Sequence, residues 1–301
     1  MEGLIFGQVT SRRFGISLGV DLSPNEKRCN FDCLYCELAG AKPVSFIKDP
    51  ILPEVYIEAI KKSLKEFPQS QFITLTANGE PTLYPYLDEL VDMIKALHVK
   101  QKVLILSNGS TIMDPKIAAT LHKIDVVKLS LDAVSERTFK RIDRPIKGLH
   151  VKDIIQGLKQ FSKEHKGVFI LEVLVVKGLN DTVEEFKKLN DAIGMIKPDR
   201  VDVGTIARPP AYKVQGVSKK ELEALAAIIE NIPVTIPWEA SYASFYEFNK
   251  KELLELLKKR PQNADDVKRS FSPASKLLLD ELIEAGVVRI QEVAGVKFYK
   301  A

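Results

Sequence analysis

Residues 16–36 read Ile16-Ser17-Leu18-Gly19-Val20-Asp21-Leu22-Ser23-Pro24-Asn25-Glu26-Lys27-Arg28-Cys29-Asn30-Phe31-Asp32-Cys33-Leu34-Tyr35-Cys36, a short apolar run that empties into a loop carrying every cysteine of the chain. A strand with its chemistry placed immediately after its C-terminal end is the unit from which parallel sheets build sites. The spacing is C-x3-C-x2-C. A disulfide would leave one thiol over. A structural zinc site uses a second pair of ligands at a distance, and no second cysteine pair exists; His98, His122, His150 and His165 offer no matching knuckle. Thiolates are soft ligands suited to iron-sulfur clusters, and a cubane held by three of them leaves one iron with an open position.

Outward from this stretch the strand pattern repeats. Apolar or β-branched runs at 16–22, 72–77, 102–107, 126–131, 168–176 and 201–206 alternate with segments of helical periodicity at 53–67, 86–97, 115–122, 151–163 and 183–196. Asp114-Pro115 and Asp181-Thr182 mark helix starts. The fold class is therefore α/β, and six parallel units fit either a doubly wound sheet or part of a barrel. In both designs the loops leaving the strand ends carry function. Those loops hold the cysteines, Asn78-Gly79-Glu80-Pro81, Asn108-Gly109, Asp132, Lys177-Gly178 and Ala207-Arg208-Pro209-Pro210.

A further helix at 219–229 and a short run at 234–237 follow, and from about Tyr246 the alternation stops. Helical segments at 249–259, 264–270 and 272–285 precede two short strands, 287–291 and 297–299, the order of a winged-helix module. The expected domains are thus 1–245 and 246–301.

Composition narrows the class of partner only slightly. Among 301 residues, 44 Lys and Arg oppose 40 Asp and Glu, for a net charge of +4. This permits contact with a polyanion without demanding one. No apolar stretch approaches membrane-span length, and the N-terminus carries no secretory pattern, so the expected location is the cytoplasm, where thiols stay reduced.

C-x3-C-x2-C after a first strand and Gly79-Glu80-Pro81 after a second resemble the radical S-adenosylmethionine (SAM) superfamily. The resemblance covers roughly residues 11–208 and implies a partial (β/α)6 TIM-type barrel. It also implies that Cys29, Cys33 and Cys36 hold one 4Fe-4S cluster whose open iron is chelated by SAM. Reductive SAM cleavage then yields a 5'-deoxyadenosyl radical that abstracts a substrate hydrogen. By the same resemblance Tyr35 packs against the adenine, with Phe31 shielding the cluster, and Asn78, Gly79 and Glu80 receive the SAM amino group. Asn108 meets the methionine part or is a bare turn. Ser130 and Asp132 share one strand face and suit ribose hydroxyls, unless Asp132 caps the helix from Ser135. Glu172 lies in an apolar strand and points either to a ligand or to a salt-bridge partner. Arg12, Arg13, Arg144, Lys177 and Arg208 are candidates for a substrate anion or the SAM carboxylate.

Residues 11–20, 78–83 and 205–210 look most like the wyosine-synthetase-like Fe-S oxidoreductases. Enzymes with a second cluster need thiolates that this chain lacks. The resulting expectation is one-cluster chemistry on RNA or a peptide held by the winged helix, with flavodoxin or ferredoxin as electron donor. The alternatives are an activase that installs a glycyl radical on a partner, and an Fe-S sensor with a DNA-binding output. The segment 272–285, with three acidic residues against Lys276 alone, disfavours DNA.

Overall fold

The computed structural model describes residues 3–11, 14–236, 247–259, 261–293 and 296–301. Arg12 and Arg13 lie outside the described residues.

All six expected strands form: β2 (Gly15–Asp21), β3 (Phe72–Thr76), β4 (Lys102–Ser107), β5 (Val126–Ser130), β6 (Val168–Val175) and β7 (Arg200–Thr205). They pair in parallel in sequence order. Two strands extend the expected six at the sheet edges. β1 (Ile5–Ser11) pairs antiparallel with β2, and β8 (Val234–Thr235) pairs parallel with β7. β1 was hidden in the sequence because Gly7 and a register irregularity between Phe6 and Gln8 interrupt its alternation.

The crossover helices are α1 (Pro53–Glu66), α2 (Leu87–Ala96), α3 (Pro115–His122), α4 (Glu136–Ile142), α5 (Val151–Glu164) and α6 (Val183–Ile196), with α7 (Lys219–Ala226) following β7. Their apolar stripes cover one sheet face. Tyr56, Ile57 and Ile60 of α1, for example, join Ile73, Leu75 and Val103 in the main core. Each such side chain contributes roughly 1.5–3 kcal/mol by leaving water.

The other sheet face is built differently. Along β2 the inward positions are Ser17, Gly19 and Asp21, paired in register with Phe72, Thr74 and Thr76. Small and hydroxyl side chains leave space there, and a cavity of about 300 Å³ opens between β1 and β4. On the β5–β7 side the same face is filled by charge. The buried Lys128 ammonium bonds Glu172 at 2.8 Å and Asp202 at 2.9 Å, and Arg200 Nε donates to the other Asp202 oxygen at 2.8 Å. Burial opposes ionisation of Asp202, yet Lys128 and Arg200 outweigh it and hold its carboxyl below the usual range.

Beyond the barrel-like sheet, α8 (Lys250–Lys259), β9 (Gln262–Asn263), α9 (Ala264–Ser270), α10 (Pro273–Glu284), β10 (Arg289–Val293) and β11 (Val296–Lys300) follow. The three strands form a separate sheet in the order β10-β11-β9. Leu253, Leu257, Val267, Phe271, Leu279, Leu282 and Val288 make a core distinct from the main one.

Candidate active site

The cysteine loop leaves β2 and is stitched to its neighbours on both sides. Asp21 starts the stitching: its Oδ1 accepts from Ser23 N and from Asn78 N, joining the ends of β2 and β3. Arg28 then runs beside Gly79 as a parallel bridge, with Arg28 N donating to Asn78 O and Glu80 N donating to Arg28 O, both at 2.8 Å. Gly79 sits at φ +142°, and a Cβ on it would fall 1.8 Å from Arg28 O. Glycine is required because two backbones touch there.

Glu80 is buried, and its carboxylate ties three segments together. Oε1 accepts from Thr82 N at 3.0 Å and Thr82 Oγ1 at 2.7 Å, and Oε2 accepts from Asn108 N at 2.7 Å. Burial pushes its pKa up even though these donors favour the anion. Asn108 in turn donates through Nδ2 to Asn30 Oδ1 at 2.8 Å and approaches Cys29 Sγ at 3.7 Å. The Asn-Gly turn after β4 therefore contacts the cysteine loop directly. Asn30 completes the link through Ser110 Oγ at 2.7 Å.

On the opposite flank, Asp32 N and Leu34 N donate to the carbonyls of Asp143 and Ile142 just past α4, and Ile146 N donates to Asn30 O. Phe31 packs edge-on against Phe139 at 5.5 Å. Tyr35 Oη donates to Asp132 Oδ2 at 2.5 Å, and Asp132 Oδ1 accepts from Leu174 N at 2.8 Å. Burial, with Glu172 adding repulsion, raises the Asp132 pKa to about 6. Asp132 does not cap α4. The N-cap, Ser135, makes no side-chain cap bond, and Glu185 holds the approach to the helix by accepting from Val134 N, Ser135 N and Ser135 Oγ.

The structure thus brings together Tyr35, Asn108, Ser130 and Asp132, which line one narrow cleft of about 10 Å³ with Phe31 and Asp143. Asn78 opens instead onto the larger cavity. Glu172 faces inward beside Ser130 and is paired with Lys128, so the salt-bridge alternative is realised. Arg208 Nη1 bonds both Glu37 carboxylate oxygens, at 2.8 and 2.9 Å. Arg144 pairs with Asp32 at 3.2 Å, and Lys177 pairs with Glu221 at the exposed rim. Five contributors escaped the sequence reading: Lys27, Asn30, Asp32, Asp143 and Tyr212. The first four sit in or beside turns, where polar residues are ordinary, so the chain gave no signal for them.

The three thiols are free and partly buried. Burial pushes the Cys29 pKa up to about 12, with the Glu80 and Cys36 charges adding to it; Cys33 and Cys36 are raised as well, chiefly by burial. The sulfurs also repel one another as thiolates. Lys27 answers part of that charge: burial opposes its protonation, but Cys36 and Asp32 win and raise its pKa.

A sequence profile of the Radical SAM superfamily matches residues 27–191. The chain is 38% identical over 301 residues to a UPF0026 protein of Helicobacter pylori (strain J99), covering 99% of this chain and 97% of the relative. It is 29% identical over 174 residues to an S-adenosylmethionine-dependent nucleotide dehydratase of a Thermoplasmatales archaeon, covering 58% and 57%. Streptococcus suis SuiB bound to S-adenosylmethionine superposes with a TM-score of 0.55 at 17% identity, covering 76% of this chain and 53% of that one, a likeness of fold. The chain belongs to the radical SAM superfamily. Its full-length match to the Helicobacter relative places it with the UPF0026 proteins of that superfamily. It is a radical SAM enzyme, of a family that works with a 4Fe-4S cluster and SAM and needs an electron donor such as flavodoxin.

Proposed function

We propose that Cys29, Cys33 and Cys36 hold one 4Fe-4S cluster and that SAM lies between it and the cleft of Tyr35, Asn108, Ser130 and Asp132. The observation that carries this reading is the gathering of three free cysteines on one loop, with Asn108 of that cleft 3.7 Å from Cys29 Sγ. Among the described residues no three ligands converge on a single metal ion. In a cubane each thiolate binds a different iron, so convergence on one point is not what the group requires. Bound there, the cluster would supply the electron for reductive cleavage of SAM to methionine and a 5'-deoxyadenosyl radical.

The chain's own residues do the rest. Glu80 and Gly79 hold the β3 turn against the cysteine loop, where Asn78, Gly79 and Glu80 would receive the SAM amino group. Asp132, oriented by Leu174 N and Tyr35 Oη, offers its carboxylate to ribose hydroxyls. The cavity beyond Asn78 receives the substrate group that loses hydrogen. It is lined by Ser17, Thr74 and Thr76 and by apolar side chains, and Arg208, the one described lysine or arginine lining it, is engaged by Glu37. This lining suits an uncharged group better than a nucleotide phosphate.

The C-terminal residues 246–301 are read as a winged-helix-like module following a barrel domain of 1–245, on the strength of their helix and strand order. In that reading α10 is the helix that meets a partner. Its outer face carries Asp280, Glu281 and Glu284, and Leu277, Val287 and Ile290 are exposed near it. An acidic, partly apolar face favours a protein or peptide over nucleic acid, so the substrate is read as a polypeptide. Leu256 of α8 lines the cavity, which links the module to the substrate position.

The test is anaerobic reconstitution followed by reduction with SAM present. Four irons per chain and formation of 5'-deoxyadenosine are expected. Changing Cys29, Cys33 or Cys36 singly to alanine abolishes the product, and a variant that still made it would sink the assignment. Deuterium transfer from a peptide pool into 5'-deoxyadenosine identifies the substrate class; a glycyl radical in a partner enzyme, seen by electron spin resonance, would favour the activase instead.

A further inference from the structure

The segment after β7, residues 207–216, crosses the rim and grips the cysteine loop at four places. Arg208 holds Glu37, the residue after Cys36, through Nη1 to both carboxylate oxygens. Ala211 N donates to Cys36 O at 2.8 Å. Tyr212 Oη donates to Asp32 Oδ2 at 2.5 Å, between Cys29 and Cys33. The Tyr212 ring also presses on Gly40, where an added Cβ would lie 2.2 Å from the phenol oxygen.

The grip is reinforced from the other side. Arg144 stacks over the Tyr212 ring at 4.7 Å and pairs with the same Asp32 oxygen at 3.2 Å. The second Asp32 oxygen accepts from Lys27 Nζ and Ala41 N, each at 3.3 Å. Asp32 is thus a hub that ties the cysteine loop to the segment after α4 and to the segment after β7. The latter segment is anchored at its far end by Lys177 N to Gln215 O and by Val217 N to Thr205 Oγ1, both at 2.9 Å. Pro209 and Pro210 restrict its backbone, so little entropy is lost in holding it across the rim.

The four grips join the segment after β7 to the cysteine loop, and neither Arg208 nor Tyr212 belongs to the main core. Most of the main core lies under the crossover helices, and Phe31 of the cysteine loop reaches it. We propose that Tyr212 and Arg208 are positioning residues: they form a strap that holds Cys36 and the Asp32 turn in place and thereby governs how readily the cysteine loop opens and gives up its iron. The proposal rests on the assignment of the cysteines as cluster ligands, but the strap also constrains the metal-free loop. Its two parts can therefore be tested apart.

The first measurement uses the metal-free full chain. Alkylation of Cys36 by iodoacetamide, resolved by peptide mass spectrometry, is compared in the parent protein, Tyr212→Phe, Arg208→Gln and a Lys188→Gln control on α6. Each strap variant removes a hydrogen bond to a carboxylate, which shifts an opening equilibrium by about tenfold or more. Cys36 should alkylate about tenfold faster in both strap variants and at the parental rate in the control. The second measurement follows iron release from the reconstituted protein to an excess of ferrous chelator, with the same order expected.

Cys36 alkylation within twofold of the parent in both variants overturns the strap. So does faster alkylation accompanied by faster amide exchange throughout β3–β5, because then the barrel and not the strap has failed. A parent protein that takes up no iron refutes the cluster assignment, and the alkylation result still decides the strap.

Discussion

Glu80 shows how one buried side chain can tie separate segments of the chain together. Its carboxylate accepts from Thr82 twice and from Asn108 once while fully buried, so the anion organises the turns after β3 and β4. In Glu80→Gln the amide nitrogen must face backbone donors on one side. The expected result is a loss of about 1–3 kcal/mol in unfolding free energy together with weaker SAM binding, read by denaturant melts and by equilibrium dialysis. Unchanged SAM affinity would separate Glu80 from the cofactor. Gly79→Ala should be harsher, because both φ and the contact with Arg28 O forbid a Cβ. A cost of about 3 kcal/mol or more, with the cysteine loop displaced, is expected, and a thermal melt near that of the parent would contradict the geometry.

At the level of elements, two packed features carry predictions away from the cysteines. The ion network between β5, β6 and β7 depends on Lys128. Lys128→Met leaves Asp202 buried with Arg200 as the remaining cation described beside it, and a loss of about 3–5 kcal/mol is expected from chemical denaturation. The second feature joins α3 to α5. The rings of His122, Phe161 and His165 stack there, with centroids 4.6 and 4.7 Å apart. Burial, with the nearby His122 adding to it, lowers the His165 pKa to about 4, against a partial opposing pull from Asp199. Between about pH 6.5 and 4 the unfolded chain binds a proton that the folded one refuses, so this histidine makes stability fall as pH drops through that window. His165→Phe keeps the stack and should flatten that decline, measured as melting temperature against pH.

For the whole molecule, the cavity has walls from distant parts of the chain: Phe6 and Val9 of β1, the inner face of β2–β4, Arg208 after β7, and Leu256 of α8. No helix among the described residues is long and apolar enough to cross a membrane. The separate C-terminal core predicts that a chain ending after residue 246 keeps a folded barrel and SAM cleavage. Loss of the Leu256 wall should then uncouple cleavage from substrate, so that 5'-deoxyadenosine forms at a rate no longer raised by a peptide pool. Reduced flavodoxin or ferredoxin should replace the chemical reductant in the same assay.

The sequence by itself determined the local elements and the chemical inventory. Periodicity located six strands and their helices because each side chain's burial follows from its position in the repeat, and the cysteine motif was legible because all three cysteines sit within eight residues. What it left open were relations between segments far apart in the chain. Tyr212 and Asp32 are 180 residues apart, Tyr35 and Asp132 are 97 apart, and Lys128 and Asp202 are 74 apart. Single residues of ordinary type carry no mark of such partners. The parallel sheet, by bringing successive strand ends to one rim, decided which of them meet: Asp132 with Tyr35 rather than with a helix terminus, Glu172 with Lys128, and Arg208 with Glu37.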